Sequence, residues 1–228
     1  MKGIVRGITG IALCVFLTGC SCNTCCKEDG GCCEKQECKC CKKQTCEQCN
    51  KKGCSMQQAV IENIMTRVSV RQFTGEKISD EQVESLLRCA LAAPSAMNKQ
   101  PWEFMVISDE EMLGLLGETF PYSRCGNGAA IAVIPCGNLE RAINGMEDFW
   151  INDVSAATEN LLLAAHAMGL GAVWTGVHPN AERVKQLQDI LNLPEHIVPL
   201  CIVPVGVPDE QPEVKDKWDA SRIHYNTF

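Results

Sequence analysis

Two short polar segments of the chain contain residue types suited to binding a small charged ligand. Arg67, Ser69 and Arg71 place two cations and a hydroxyl at alternate positions. Alternate side chains of an extended segment lie on the same side, and guanidinium groups pair with phosphate oxygens through charge-assisted hydrogen bonds. The pattern therefore predicts a phosphate site. A pair of solvated cations at a helix end would give the same pattern, so this segment alone leaves both interpretations open.

The second segment is the loop 93–102, which reads Ala-Pro-Ser-Ala-Met-Asn-Lys-Gln-Pro-Trp. Small, hydroxyl and amide side chains lie between Pro94 and Pro101, and Trp102 follows. Such a segment packs poorly as core, but it can lay backbone and short polar groups along a flat polar ligand. Together the two segments predict a ligand with a planar polar ring and a phosphate tail.

The elements that must position these segments alternate between helix and strand. Apolar spacing predicts helices at residues 55–66, 80–93, 109–118, 149–168 and 180–191. Apolar runs predict strands at residues 102–108, 129–135 and 198–207, and residues 172–177 are predicted to be a strand or a turn. This interleaving predicts an α+β chain, an α/β sandwich.

Three details refine this prediction. Ser79 with Gln82 three residues later is typical of a capping box, which starts the second helix. Helix 149–168 is the longest, and its apolar residues recur at helical spacing, so we expect it to be the central core helix. Pro199 and Pro204 favour an edge or bulged position for the last strand.

Four motifs in register give the chain a specific resemblance. They are Arg67-x-Ser69-x-Arg71, Pro94-Ser95-Ala96-x-Asn98-x-Gln100-Pro101-Trp102, Gly169-Leu170-Gly171-Ala172-Val173-Trp174-Thr175-Gly176, and Arg222 within Ser221-Arg222-Ile223-His224-Tyr225-Asn226. The chain resembles the nitroreductase family of FMN-dependent oxidoreductases over residues 55–228. The fold that this resemblance implies has a central mixed sheet flanked by helices, with the long core helix at a dimer interface.

The resemblance also implies a homodimer with two FMN sites at the subunit interface. The residues implied to hold the phosphate from one subunit are Arg67, Ser69, Arg71 and Arg222. Those implied to line the isoalloxazine ring from the other are Pro94, Ser95, Ala96 and Asn98, with Gln100 as a further flavin contact. Trp174, Thr175 and Gly176 are implied to place backbone N–H groups near flavin N5.

The implied reaction is a ping-pong transfer. A donor such as NAD(P)H reduces the flavin at N5, its product leaves, and a nitroaromatic, quinone or similar small-molecule acceptor then binds the same face. The flavin supplies the hydride chemistry, so no catalytic acid, base or nucleophile is predicted among the side chains. FMN is favoured over FAD because no Gly-x-Gly-x-x-Gly loop precedes a helix.

The N-terminus predicts a different kind of function. An apolar run at residues 8–17 is too short to span a bilayer, and it leads into Leu17-Thr18-Gly19-Cys20, which resembles a bacterial lipoprotein signal. Residues 1–19 are therefore a predicted signal peptide, and Cys20 is the predicted lipidation site. The protein would then be lipid-anchored to a bacterial membrane, on the extracytoplasmic side. An ordinary secretory signal and a chance apolar N-terminus are the alternatives.

Residues 20–54 form a predicted cysteine-rich segment after the lipid. Of the 17 cysteines in the chain, eleven lie within residues 22–54, among polar residues that cannot build a hydrophobic core. The pairs Cys22 with Cys25 and Cys46 with Cys49 have a spacing that suits Zn or Cu(I). A disulfide-linked tether and an electron relay are the alternatives. A second hypothesis for the whole chain is thus a lipid-anchored flavin- or metal-binding protein whose cysteine tail buffers soft metals or relays electrons.

Charge and location restrict the partners. The formal net charge of -7 argues against a nucleic-acid partner, because phosphate backbones attract basic surfaces. NAD(P)H is a cytoplasmic donor, whereas the lipoprotein signal sends the domain outside the cytoplasm. We therefore expect a thiol, quinol or protein donor there if both predictions hold.

Several other polar residues permit two interpretations. Asp153 and Glu159 could support a flavin site from the long helix, although polar contacts between helices are favoured. His166 on the same helix is predicted to be structural. Cys125 lies in the loop 122–128, where it is either a substrate-loop thiol or an ordinary loop cysteine, and the latter is favoured.

Overall fold

This computed structural model describes residues 56–228 of the chain. They contain five α-helices and six short strands. The helices are α1 (Met56–Thr66), α2 (Asp80–Leu91), α3 (Glu110–Thr119), α4 (Phe149–Ala167) and α5 (Ala181–Leu191). The strands are β1 (Trp102–Ile107), β2 (Ile131–Asn138), β3 (Gly171–Ala172), β4 (Thr175–Gly176), β5 (Ile197–Pro199) and β6 (Cys201–Gly206). The predicted α+β class is confirmed.

The predictions for the N-terminus lie outside the described residues. These are the signal peptide 1–19, the lipidation site Cys20 and the cysteine-rich segment with Cys22, Cys25, Cys46 and Cys49. The contacts between residues separate the chain into two units, with the boundary after Ile61. Residues 62–228 form one compact unit. The described part of the other unit, residues 56–61, is the first portion of α1.

Local capping explains where the helices begin. The Ser79 side chain accepts from the backbone N–H of Gln82, and the Gln82 side chain accepts from the N–H of Ser79, so the predicted capping box is confirmed. Asp109 and Asn180 accept in the same way at the starts of α3 and α5. Gly169, with a φ of 74°, follows α4 in the left-handed conformation that commonly ends a helix.

The sheet has the strand order β1-β2-β6-β3, with β5 on β2 and β4 on β6. Every strand pair among the described residues is antiparallel, so the sheet of one chain is antiparallel rather than mixed. Helices α2 and α4 pack on one face, and α3 and α5 contribute to the core on the other.

The last predicted strand is broken into β5 and β6. Leu200 separates the two strands, as a bulged position would, but β6 lies inside the sheet, so the edge alternative is wrong. Pro204 is tolerated there because it lies opposite the interruption between β3 and β4. Ala172 pairs with Val205 and Thr175 pairs with Ile202, which leaves no strand partner on that side that needs a Pro204 N–H.

The long helix α4 is the centre of the core, as predicted. Val154, Ala157, Leu161 and Ala165 have no exposed surface. Trp150 packs against Gly137 of β2 so closely that a Cβ there would lie 2.2 Å from the indole ring. Because α4 is held in the core in this way, it is a fixed base for the segments that bond to it.

Large apolar side chains remain exposed at both ends of the described chain. Met65 on α1 is 67% exposed, although its helix was predicted to have an apolar face. The C-terminal arm, which we define as residues 209–228, exposes Trp218, Tyr225 and Phe228. Within residues 56–228, no helix combines the length and apolar character that a membrane crossing requires.

Candidate functional site

The cation segment, Arg67–Arg71, is extended along β3. Val70 is buried, its N–H donates to the carbonyl of Ala172 at 3.1 Å, and Val68 packs on the same small cluster. Gly171 makes this approach possible, since a Cβ there would lie 2.6 Å from Val70 Cγ1. With the two valines facing inward, alternation directs Arg67, Ser69 and Arg71 to the other side, as predicted.

The backbone at the end of the cation segment is held by two distant residues. The Glu210 carboxylate accepts from the N–H of Arg71 and, at 3.2 Å, from that of Gln72. Asn127 Nδ2 donates to the Arg71 carbonyl at 2.9 Å. Glu210 is 139 positions away in sequence, and no local motif marks it, which is why sequence reasoning missed it.

The beginning of the cation segment is attached to α4. Arg67 forms an ion pair with Glu159 at 3.4 Å, with the arginine side chain 18% exposed and the carboxylate 49% exposed. Thr66 Oγ1 lies 3.0 Å from His166 Nε2. Burial, reinforced by the Arg67 cation, lowers the pKa of His166. The hydrogen bond to Thr66 and the partial burial of His166 are consistent with its predicted structural role.

The second segment, which we call the amide loop (Pro94–Gln100), has an unusual backbone. Met97, Asn98 and Gln100 have φ values of 51°, 53° and 49°, a left-handed conformation that L side chains disfavour. Ser95 Oγ accepts from the N–H of Gln100 at 2.9 Å, and Asn98 Oδ1 accepts from Gln100 Nε2 at 3.0 Å. Strained residues of this kind cluster at functional sites.

The amide loop is also attached to α4. Asp153 is 5% exposed, and its Oδ1 accepts from the N–H of Ala96 at 2.8 Å. Ser95 and Ala96 are half-buried, whereas Pro94, Asn98 and Gln100 are exposed. The predicted ring-lining residues thus present several exposed polar groups on a rigid base.

The third motif lies at β3 and β4, next to the cation segment. Trp174 is half-buried, Thr175 is buried, and Gly176 is exposed. Thr175 Oγ1 donates to the carbonyl of Ile202 at 2.6 Å. Because this bond uses the hydroxyl hydrogen, the buried Thr175 side chain has no donor left for a ligand.

One chain brings together only some of the predicted residues. The cation segment and residues 172–176 share one edge of the sheet. Asp153 and Glu159, which hold the amide loop and Arg67, are separated by about 9 Å along α4 and roughly 120° around it, from the dimensions of an ideal helix. The amide loop and the cation segment therefore attach to different sides of the helix.

The fourth motif is also separate. Arg222 is exposed on the C-terminal arm and pairs with Asp219 at 3.0 Å. Among residues 56–228, no recorded ion pair or hydrogen bond joins it to the cation segment.

Cys125 lines a cavity of about 630 Å³ that lies between α2, α3 and the loop that precedes β2. None of the predicted binding residues lines it. Burial raises the pKa of Cys125 to about 11, so its thiol stays protonated near neutrality. Within the described part of the chain, no group of three metal-ligating side chains converges.

Comparison with known proteins identifies clear relatives. A family model described as the nitroreductase family matches residues 64–124 and 126–207. A protein from Archaeoglobus fulgidus, provisionally named NADH dehydrogenase/NAD(P)H nitroreductase, is 41% identical over 72% of this chain and 95% of its own length.

Solved structures agree. A protein from Bacteroides thetaiotaomicron with the same provisional name is 39% identical, with a TM-score of 0.70 over 75% of this chain and 98% of its own. A provisionally named nitroreductase from Desulfovibrio desulfuricans, crystallised in complex with FMN, is 29% identical, with a TM-score of 0.63 over 74% of this chain and 97% of its own.

Proposed function

The chain belongs to the nitroreductase family, and on that premise we propose that it is an FMN-dependent oxidoreductase. It would pass hydride or electrons from a reduced donor to a small-molecule acceptor of the nitroaromatic or quinone type. The observation that carries the proposal is the side-by-side placement of the cation segment and residues 172–176 at one edge of the sheet. Relatives named for NAD(P)H and crystallised with FMN support the cofactor and the donor class.

The residues present fit the phosphate end of FMN. Arg67 and Arg71 supply guanidinium groups and Ser69 a hydroxyl, the donor types that phosphate oxygens accept. When bound, FMN supplies a flavin ring that accepts and delivers hydride at N5. The chain holds the phosphate, supports the cation segment from behind through Glu210, and presents the backbone of residues 174–176.

We propose that a second copy completes each site. The amide loop and the cation segment attach to different sides of α4, about 9 Å apart along the helix, which supports a site shared between two copies. The exposed C-terminal arm, which carries Arg222, gives a second copy apolar surface to cover. A homodimer with Pro94, Ser95, Ala96, Asn98 and Gln100 facing the partner's cation segment satisfies both observations.

The order of the reaction is also a proposal. No titratable side chain was predicted to act as acid or base, and the chain's role is to bind and orient. As the family resemblance implies, donor and acceptor would use the same opening in turn. Initial rates should be measured against donor concentration at several fixed acceptor concentrations. The double-reciprocal lines should be parallel, whereas intersecting lines would contradict the ping-pong order.

The location of the protein is proposed from the sequence alone. We propose that Cys20 is lipidated, that residues 20–54 tether the domain outside the cytoplasmic membrane, and that a thiol, quinol or protein donor replaces NAD(P)H there. Cell fractionation should place the chain in the membrane, and Cys20→Ala should release it. A wild-type chain found in the cytosol would contradict the anchor. Bound Zn or Cu(I) at several equivalents would favour the metal-buffering alternative.

The purified full chain provides the direct test of the enzyme. We expect it to bind FMN, to lose its yellow colour with NAD(P)H and to regain it with a nitroaromatic or quinone. Arg88→Gln is a suitable control, because Arg88 is an exposed cation that pairs with Glu84 on α2, away from the cation segment. A colourless protein that refuses added FMN would overturn the proposal.

A further inference from the structure

The amide loop holds a conformation that its own sequence does not favour. Three of its residues, Met97, Asn98 and Gln100, are left-handed without being glycine. Such conformations persist only where the surroundings over-determine them. Met97 is 76% exposed, so packing of its side chain is not what holds the backbone.

The structure provides two polar restraints. Within the loop, Ser95 Oγ accepts from the N–H of Gln100. From outside the loop, Asp153 accepts from the N–H of Ala96 at 2.8 Å, immediately before the first left-handed residue. Hydrogen bonds to ionised acceptors are shorter and about twice as strong as those between neutral groups.

Asp153 is well suited to act as an anchor. It is 5% exposed on α4, and the next residue, Val154, is fully buried. A buried carboxylate without partners is costly, so the Ala96 N–H stabilises Asp153 as much as Asp153 holds the loop. The interhelical role favoured from sequence is thus replaced by a contact with the loop.

We infer that Asp153 is a positioning residue, which fixes the amide loop in the shape required to line the flavin ring. This inference rests on the proposed function, because it assumes that the loop faces FMN. Asp153 does not touch the ligand in this account. It acts through the backbone of Ala96 and the turn Ala96–Asn98 that follows.

Two substitutions separate positioning from general stability. Asp153→Asn keeps an acceptor oxygen, and we expect its FMN dissociation constant to stay within about threefold of wild type. Asp153→Ala removes the acceptor, and we expect the constant to rise about tenfold or more. Thr158→Val is the matched control, because Thr158 is a buried polar residue of α4 whose hydroxyl donates to the Val154 carbonyl and lies beside the Cys201 thiol, not in the amide loop.

Hydrogen exchange of the protein without added FMN supplies a readout that does not depend on activity. Asp153→Ala should lose protection at the amides of Ala96 and Gln100, while Asp153→Asn and Thr158→Val should retain it. If Asp153→Ala fails to fold, Ala96→Pro tests the same bond without changing α4, because it removes the N–H that donates to Asp153 and the preceding Ser95 already has the extended backbone that proline requires. Protection of the Gln100 amide should then fall, and unchanged protection would overturn the inference.

The outcomes are distinct. A wild-type chain that binds no FMN would refute the proposed function, and the exchange experiment would still test the anchor. FMN binding and loop protection that are the same in Asp153→Ala as in wild type would overturn the inference.

Discussion

The cation segment and the amide loop carry the two halves of the proposed site, and they are built in opposite ways. The cation segment is extended, with a backbone fixed from behind by Ala172, Asn127 and Glu210. The amide loop has three left-handed residues and is anchored from outside through Asp153. The charged side chains are thus presented by an extended segment, and the flat surface is presented by a turn with left-handed residues.

The difference teaches how each half can fail. Loss of a side chain should disable the cation segment, because its backbone has several independent supports. Loss of a support should disable the amide loop, because its backbone lies far from its preferred conformation. The substitutions below test this contrast from the largest expected effect to the smallest.

The largest effect is expected from the combined substitution Arg67→Gln and Arg71→Gln. Each lost bond to a charged group is worth about 1.5–3 kcal/mol, so the FMN dissociation constant should rise about 100-fold or more. A fluorescence titration with FMN measures it, with Arg88→Gln as the exposed control. A double variant that binds FMN as well as the control would remove the phosphate role from this segment.

A smaller effect is expected when the support of the cation segment is changed. Gly171→Ala would place a Cβ 2.6 Å from Val70 Cγ1 and force the two apart. The free energy of unfolding should fall by about 1–3 kcal/mol, and FMN affinity should fall with it. In Gly114→Ala the added methyl meets no atom within 4 Å, and this helical control should gain stability by up to about 1 kcal/mol. Equal effects of the two substitutions in urea unfolding would contradict the close packing.

The strain of the amide loop predicts an unusual ranking of glycine substitutions. Met97→Gly removes a left-handed penalty of about 1–2 kcal/mol, which offsets the usual cost of glycine. Lys99→Gly is the control in the same loop, because Lys99 has an ordinary φ of -71° and should show the full cost of about 0.5–1 kcal/mol. Urea unfolding should therefore rank Met97→Gly above Lys99→Gly in stability. The reverse order would mean that the loop is not strained.

The smallest effect concerns pH at the base of the cation segment. The pKa of His166 is lowered by burial and by Arg67, so the unfolded state takes up a proton more readily than the folded state. Stability should be complete above the ordinary histidine pKa of 6.5 and decline as the pH falls through that value. Unfolding curves at about pH 7.5 and 5.5 should show a larger loss in wild type than in His166→Gln. An equal loss in both proteins would exclude His166 as the cause.

Much of the scaffold could be predicted from local sequence. The apolar spacing of α4 and the capping box at Ser79 both follow from short-range chemistry, and the structure confirms them. The alternation of Arg67, Ser69 and Arg71 is likewise a property of five consecutive residues. These features need no knowledge of what lies elsewhere in the chain.

The supports of the candidate site could not be predicted in that way. Glu210 lies 139 positions from Arg71, and Asp153 lies 57 positions from Ala96. The left-handed residues of the amide loop include no glycine, and only Asn98 is of a type that tolerates this conformation, so composition gave little warning of them. Likewise, β6 can contain Pro204 inside the sheet because there is a gap between β3 and β4, and only the tertiary arrangement creates that gap.

The central claim, that two copies share each FMN site, can be tested by mixing two inactive variants. One carries Arg67→Gln and Arg71→Gln, and the other carries Ser95→Ala and Asn98→Ala in the amide loop. After equal amounts are unfolded and refolded together, about half of the dimers should be mixed, each with one intact site. The account predicts that FMN binding returns to roughly a quarter of the wild-type level. No recovery, with both variants folded and dimers formed, would contradict it.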